Sequence, residues 1–229
     1  MLWYLANGSL NQYLKSQIQL QGEYYSEQKT TLALADFSEQ TNTAIFNQLS
    51  LENINSFQAT DALGIDTIHV ELAATQQNNS VTEISNITIN KLTINIDKKD
   101  NTSNIEQLIK KISLKLANDY PQSYPAISAK IYAQNHPELN AEEFAKNHPQ
   151  ATPDIEQAKR KKSREKIQQK VIISVINIKN VTLNVTEAGV SQSIQKHNIK
   201  IESLGNTQGL LVNQLGGEIL LSLLKLADH

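Results

Sequence analysis

Apolar residues at Leu10, Tyr13, Leu14 and Ile18 recur at helical spacing behind Ser9, a residue type that caps helix N-termini. They predict a short amphipathic helix closing near Gly22. The period then falls to two. Leu32 with Leu34, Leu49 with Leu51, and Ile68, Val70 and Leu72 alternate with polar residues, as half-buried antiparallel strands do, with one face dry and one wet.

The clearest pattern runs from Ile84 to Ile96, where Ile87 and Ile89 are followed by Leu92, Ile94 and Ile96. The parity of the apolar set changes once, across Asn90-Lys91, and a strand does this only through a bulge or a tight bend. Ser103 and Glu106 then stand at capping-box spacing. Behind them Ile105, Leu108, Ile109, Ile112 and Leu116 form one apolar stripe, predicting an amphipathic helix laid on the sheet. Shifted by 89 residues, Ile173 to Val185 overlays Ile84 to Ile96. The identities are Ile84/Ile173, Ser85/Ser174, Ile87/Ile176, Ile89/Ile178, Thr93/Thr182 and Asn95/Asn184, and the parity switch is itself repeated.

All five prolines fall between Tyr120 and Asp154, around a short helix expected at about Ala141 to Lys146. A charged helix is expected from Asp154 to about Gln168, then the repeated strand, another strand at Ile199 and Ile201, and a final helix from about Thr207 to Ala227. The chain thus divides into 1–22, an N-terminal helix or anchor stub; 23–119, a first sheet-and-helix half; 120–170, a proline-rich insertion with the charged helix; and 171–229, a second sheet-and-helix half. The expected fold class is α+β: a twisted antiparallel sheet in two repeated strand-plus-helix halves, with helices packed on the sheet.

Composition narrows the function classes. A net charge of -2 provides no global field to neutralise phosphates, so nucleic acid is not an expected partner. The absence of cysteine excludes disulfides, thiolate catalysis and cysteine zinc sites together. There is no run of about 18 apolar residues of the kind that spans a bilayer. Met1 to Ala6 is too short for a signal peptide, and reads either as a first helical turn or as the stub of a longer anchor.

Candidate chemistry is sparse. The histidines at 69, 136, 148, 197 and 229 lack the i, i+4 spacing that puts two ligands on one helix face. His136 and His148 lie in twin Asn-His-Pro triplets with Glu138, Glu142 and Glu143 between them, which is either an ion site or, more simply, two proline-ended loops around a helix. His69 alternates with Ile68 and Val70 and belongs to the wet face of a strand. No nucleophile elbow, phosphate-cradling glycine loop or paired-carboxylate motif appears. No metal or cofactor is therefore expected, and the chain is read as a non-enzyme. The run Lys159-Arg160-Lys161-Lys162-Ser163-Arg164 is either a headgroup-binding patch or a solvated helix face, and the Asn-x-Thr triplets at Asn86 and Asn180 are simplest as strand composition.

The final helix carries more apolar residues than one face holds, so protein, lipid or a partner must cover the remainder. Leu215, Ile219 and Leu223 are expected against the sheet. Leu211, Leu220 and Leu224 form the candidate second apolar surface, with Leu211 and Leu224 expected to be partly exposed.

The text Leu51-Glu-Asn-Ile-Asn-Ser-Phe57, followed by Ala62-Leu63-Gly64-Ile65 and Ile68-His-Val-Glu-Leu72, resembles a stretch of bacterial envelope proteins related to AsmA, which reads nl.i.NP.GF....AL.lg.i.V.ld. Ile54 stands where that family usually has proline and Ser56 where it has glycine, and the order of elements is similar from Leu10 to Asp228. The resemblance implies a periplasmic domain held to the inner membrane by an N-terminal helix absent from this chain. Its larger relatives are implicated in lipid transport and outer-membrane homeostasis, and it carries over no catalytic residue. The leading expectation is accordingly a non-catalytic cell-envelope protein that binds a lipid or hydrophobic ligand or docks an envelope protein. An adaptor domain with no groove and a hydrolase with an unrecognised site stand as the alternatives.

Overall fold

The alternating segments form strands β1 (Thr30–Ser38), β2 (Thr43–Glu52), β3 (Asp61–Leu72), β4 (Val81–Lys99), β6 (Lys170–Glu187) and β7 (Val190–Leu204) in a computed structural model that describes residues 2–73, 81–135, 169–205 and 209–228. They lie side by side in the order β1-β2-β3-β4-β6-β7, with the two-residue strands β5 (Thr102–Ser103) on β4 and β8 (Leu210–Leu211) on β6. The α+β class holds, but the sheet is mixed, because β4 and β6 run parallel. Alternation is the same for either direction of a neighbour. What permits the parallel pair is the long connection between the two strands, which a hairpin turn would not allow.

In this parallel pair each residue stands beside its counterpart in the matching segment: Ile84 beside Ile173, Leu92 beside Val181, Ile96 beside Val185. Like residues then stack across the strands. Asn184 Nδ2 donates to its counterpart Asn95 Oδ1 at 2.9 Å, and diagonally Asn177 Nδ2, which stands beside Thr88, donates to Asn86 Oδ1 at 2.9 Å.

The parity switch read at Asn90-Lys91 extends across the whole sheet. Along β4, Ile87, Ile89, Leu92, Ile94 and Ile96 are all buried, so the switch keeps the apolar set on one face. Its row is marked in the neighbouring strands by Ala33-Leu34, Asn47-Gln48, Asp66-Thr67, Lys179-Asn180 and His197-Asn198, pairs that are not buried. Gln48 and Asn198 adopt φ of 53° and 54° there, a left-handed kink, and the pairing register runs through this row without an inserted residue. The tight hairpin turns are of the same kind, with both central residues at positive φ in Asp100-Asn101 and Ala188-Gly189.

Helix α1 spans Leu2–Ser26, longer at both ends than the predicted helix. Ser9 is interior rather than a cap. The helix closes four residues beyond Gly22, where Ser26 Oγ donates to Gly22 O at 2.6 Å and Glu27 takes φ 56°. Helix α2 spans Asn104–Asp119 and starts on the predicted capping box: Glu106 N donates to Ser103 Oγ at 3.1 Å, and Ser103 N to Glu106 Oε2 at 2.9 Å. Ile105, Leu108 and Ile112 are fully buried, as the stripe requires.

Two compact units result: Met1–Ile112 with Gln169–His229, and Ser113–Gln168. The described part of the second unit holds the end of α2, a turn, and helix α3 (Pro125–Asn135), with Ser128 Oγ donating to Ala117 O at 2.8 Å. The helices expected at 141–146 and 154–168, the Asn-His-Pro triplets and the 159–164 basic run lie outside the described residues. In the first unit the last helix, α4, covers Val212–Leu224 and passes into a 3₁₀ turn, Lys225–Asp228. It begins later than predicted because Leu210 and Leu211 pair with Val171 and Lys170 as β8.

The two sheet edges differ. Helix α1 covers β1: Phe37 N donates to Asn11 Oδ1 at 3.0 Å, Thr30 N to Glu23 Oε1 at 3.4 Å, and Lys15 Nζ to Ala33 O at 2.9 Å. Strand β7 is exposed over most of its length. The Asn198 kink and the charges of Lys196, Lys200 and Glu202 are what discourage another chain from pairing with it.

Candidate functional site

An apolar cleft of about 270 Å³ opens between α1, α4 and the buried face of the sheet. Its α1 wall is Leu14, Gln17, Ile18 and Gln21, residues spaced to share one helical face. The α4 wall is Val212, Leu215, Gly216, Ile219, Leu220 and Leu223. The floor is built from cross-strand rows, Phe46 beside Ile68 beside Ile89, and Val70 beside Ile87 beside Ile176. Phe46, Ile68, Ile18, Leu215 and Ile219 are only half-buried, so the cleft has a mouth.

Polar clamps and missing side chains set its width. Gln21 Oε1 accepts from Gly216 N at 2.9 Å, and Gln21 Nε2 donates to Val212 O at 3.4 Å. One turn along, Tyr25 Oη donates to Asn213 O at 2.8 Å. A Cβ on Gly216 would stand 2.8 Å from Gln21 Cβ, and a Cβ on Gly22 would stand 2.7 Å from Thr30 Cγ2. Glycine at these two positions is what lets α1 approach α4 on one side and β1 on the other.

No charged side chain lines the cleft, and its polar groups are Gln17, Gln21 and Thr30. An engineered apolar cavity of about 150 Å³ stays dry and binds benzene or xenon. The present cleft is larger, is lined almost wholly by apolar side chains, and opens at a mouth.

The structure rearranges the expected faces of the last helix. Leu220 lines the cleft and is buried, whereas Leu224 is fully buried and does not line it, which corrects its assignment to a partly exposed face. Leu211 is half-buried in β8. Leu215 and Ile219, expected against the sheet, are half-buried in the cleft wall, while Leu223 is buried there. The cause is the Gly216 contact with α1, which fixes the rotation of α4 about its axis. On the α1 side, Leu14 and Ile18 were visible as a helical stripe, but nothing in the local text marked Gln17, Gln21 or Phe46.

Elsewhere, Asn53, Asp97 and Asn104 form a buried polar hub. Asn53 Nδ2 donates to Asp97 Oδ2 at 3.2 Å, Ala59 N to the same oxygen at 2.7 Å, Asn104 Nδ2 to Asn53 Oδ1 at 2.8 Å, and Asp97 N to Asn104 Oδ1 at 2.9 Å. It ties the loop after β2 to the end of β4 and the start of α2. On the opposite face of the sheet the crease forms a shallow groove of about 650 Å³ along Thr31, Ser50, Gly64 and Thr93, with Asp66 and Lys91 at the crease. His69 is half-buried, and His197 Nδ1 pairs with Asn180 Oδ1 at 2.9 Å. Among the described residues no three His, Asp or Glu side chains gather as metal ligands, and no helix is long and apolar enough to cross a membrane. Comparison of the chain with protein-family models, curated proteins and solved structures finds no match.

Proposed function

We propose that this chain is a non-catalytic domain of the bacterial cell envelope that holds a hydrophobic ligand in the cleft between α1, α4 and the sheet. The observation that carries the reading is the half-buried state of Phe46, Ile68, Leu215 and Ile219. These apolar side chains face a space that neither helix fills, and an exposed apolar concavity marks a binding surface. The AsmA-like text around Asn53 supports a periplasmic place beside the inner membrane, and a role in outer-membrane homeostasis or lipid handling. The matching segments 84–96 and 173–185 are read as two copies of one strand-and-helix unit, paired through their strands.

Native mass spectrometry of the full chain purified from bacteria tests this. A co-purifying hydrophobic molecule, lost in an Ile219→Trp variant whose added ring occupies the cleft, is the expected result. Ligand-free protein that also fails to take up any added alkyl compound would leave the adaptor reading in its place.

A further inference from the structure

Resting on that reading of the cleft, we propose that its ligand is a single-chain amphiphile with an uncharged polar head, such as a fatty alcohol, ester or amide, and that Gln17 binds the head.

Size limits the apolar part. A space of about 270 Å³ exceeds the roughly 150 Å³ that holds a benzene ring and falls below the roughly 300 to 1,000 Å³ of sites for drug-sized ligands, so it accommodates one alkyl chain rather than a two-chain lipid. Charge limits the head. No lysine, arginine, histidine, aspartate or glutamate lines the cleft, and a carboxylate, phosphate or ammonium drawn into it would lose its water with no opposite charge in return. The nearby charges are engaged elsewhere: Lys15 Nζ donates to Ala33 O at 2.9 Å on the β1 edge, and Glu218 Oε1 accepts from Gln214 Nε2 at 2.7 Å.

The polar lining groups differ in availability. Gln21 is occupied in clamping Val212 and Gly216, and Thr30 Oγ1 lies against Gly22. Gln17 is half-buried, lines the cleft one turn before Gln21, and its side-chain amide makes no hydrogen bond to another described residue. Its amide offers donors and an acceptor together, which suits a hydroxyl, ester or amide and neutralises no charge.

The test is displacement of N-phenyl-1-naphthylamine from the full chain by decan-1-ol, decanoate and decyltrimethylammonium at pH 8. Decanol is expected to displace the probe at a concentration at least roughly ten-fold below either charged analogue, equivalent to about 1.4 kcal/mol. Gln17→Leu should reduce that preference several-fold with an unchanged thermal melt, and Gln17→Arg should shift it towards decanoate. Equal or tighter binding of decanoate by the unaltered chain overturns the head-group proposal while leaving the cleft as an alkyl site. An unchanged preference in both variants overturns the role of Gln17. Failure of the probe and all three compounds to bind overturns the cleft reading itself, and this proposal with it.

Discussion

The side-chain amide of Gln21 bonds both the Val212 carbonyl and the Gly216 amide, groups four residues apart at the start of α4. It enters because Gly216 has no Cβ to hold it off. Alanine would raise intrinsic helix propensity by about 1 kcal/mol, but here its Cβ collides with Gln21 Cβ, and overpacking of this kind typically costs about 1 to 3 kcal/mol. Gly216→Ala is therefore expected to lower the urea midpoint. A higher midpoint would show that α1 gives way without loss.

Truncations along α4 should separate core from cleft. Leu224→Ala removes a fully buried side chain outside the cleft and should destabilise by about 2 to 5 kcal/mol, while Leu215→Ala and Ile219→Ala, half-buried at a space already empty, should stay below about 2 kcal/mol. Chemical denaturation measures both. Equal losses at all three positions would mean that the cleft is closed in solution.

The hub around Asn104 predicts strong coupling. Asn104→Ala removes the bonds to Asp97 N, Asn53 Oδ1 and Asn95 O; Asn53 Oδ1 keeps the one from Ile54 N, and each group left unpaired away from water costs about 1 to 3 kcal/mol. In a double-mutant cycle Asn53→Ala and Asn104→Ala should be non-additive by about 0.5 kcal/mol or more, because they share a bond. Additive losses would break the case for a single network.

Strand β7 should keep the chain from associating through its edge. Replacing Lys196 and Lys200 together by Val leaves a long exposed strand with little charge, and sedimentation velocity should then detect dimers or larger species at concentrations where the parent chain is monodisperse. An unchanged sedimentation profile would show that the Asn198 kink alone protects the edge.

Much of the architecture was legible because it depends on neighbours in the chain. Alternation at Ile68, Val70 and Leu72, the capping box at Ser103 and Glu106, and the parity switch at Asn90-Lys91 each record a local backbone conformation, and the structure repeats all three. The match of Ile84–Ile96 to Ile173–Val185 also surfaced in the text, since strands that lie side by side in register face the same environment at each row. Gly22 does not end α1, because glycine there serves a close approach to Thr30, a residue that local pattern does not connect to it.

The sequence by itself determined the element types, the buried face of each strand and the aliphatic character of the core, because backbone propensity and hydrophobic periodicity act over a few residues. Only the tertiary structure decided that β4 and β6 run parallel, that Leu224 faces the core while Leu215 and Ile219 face a cleft, and that Gln17, Gln21 and Phe46 share one wall and floor. Those outcomes turn on contacts between residues as far apart as Gln21 and Gly216. The rotation of a helix about its axis is set by what it packs against, and an all-round apolar helix such as α4 carries no local record of that choice.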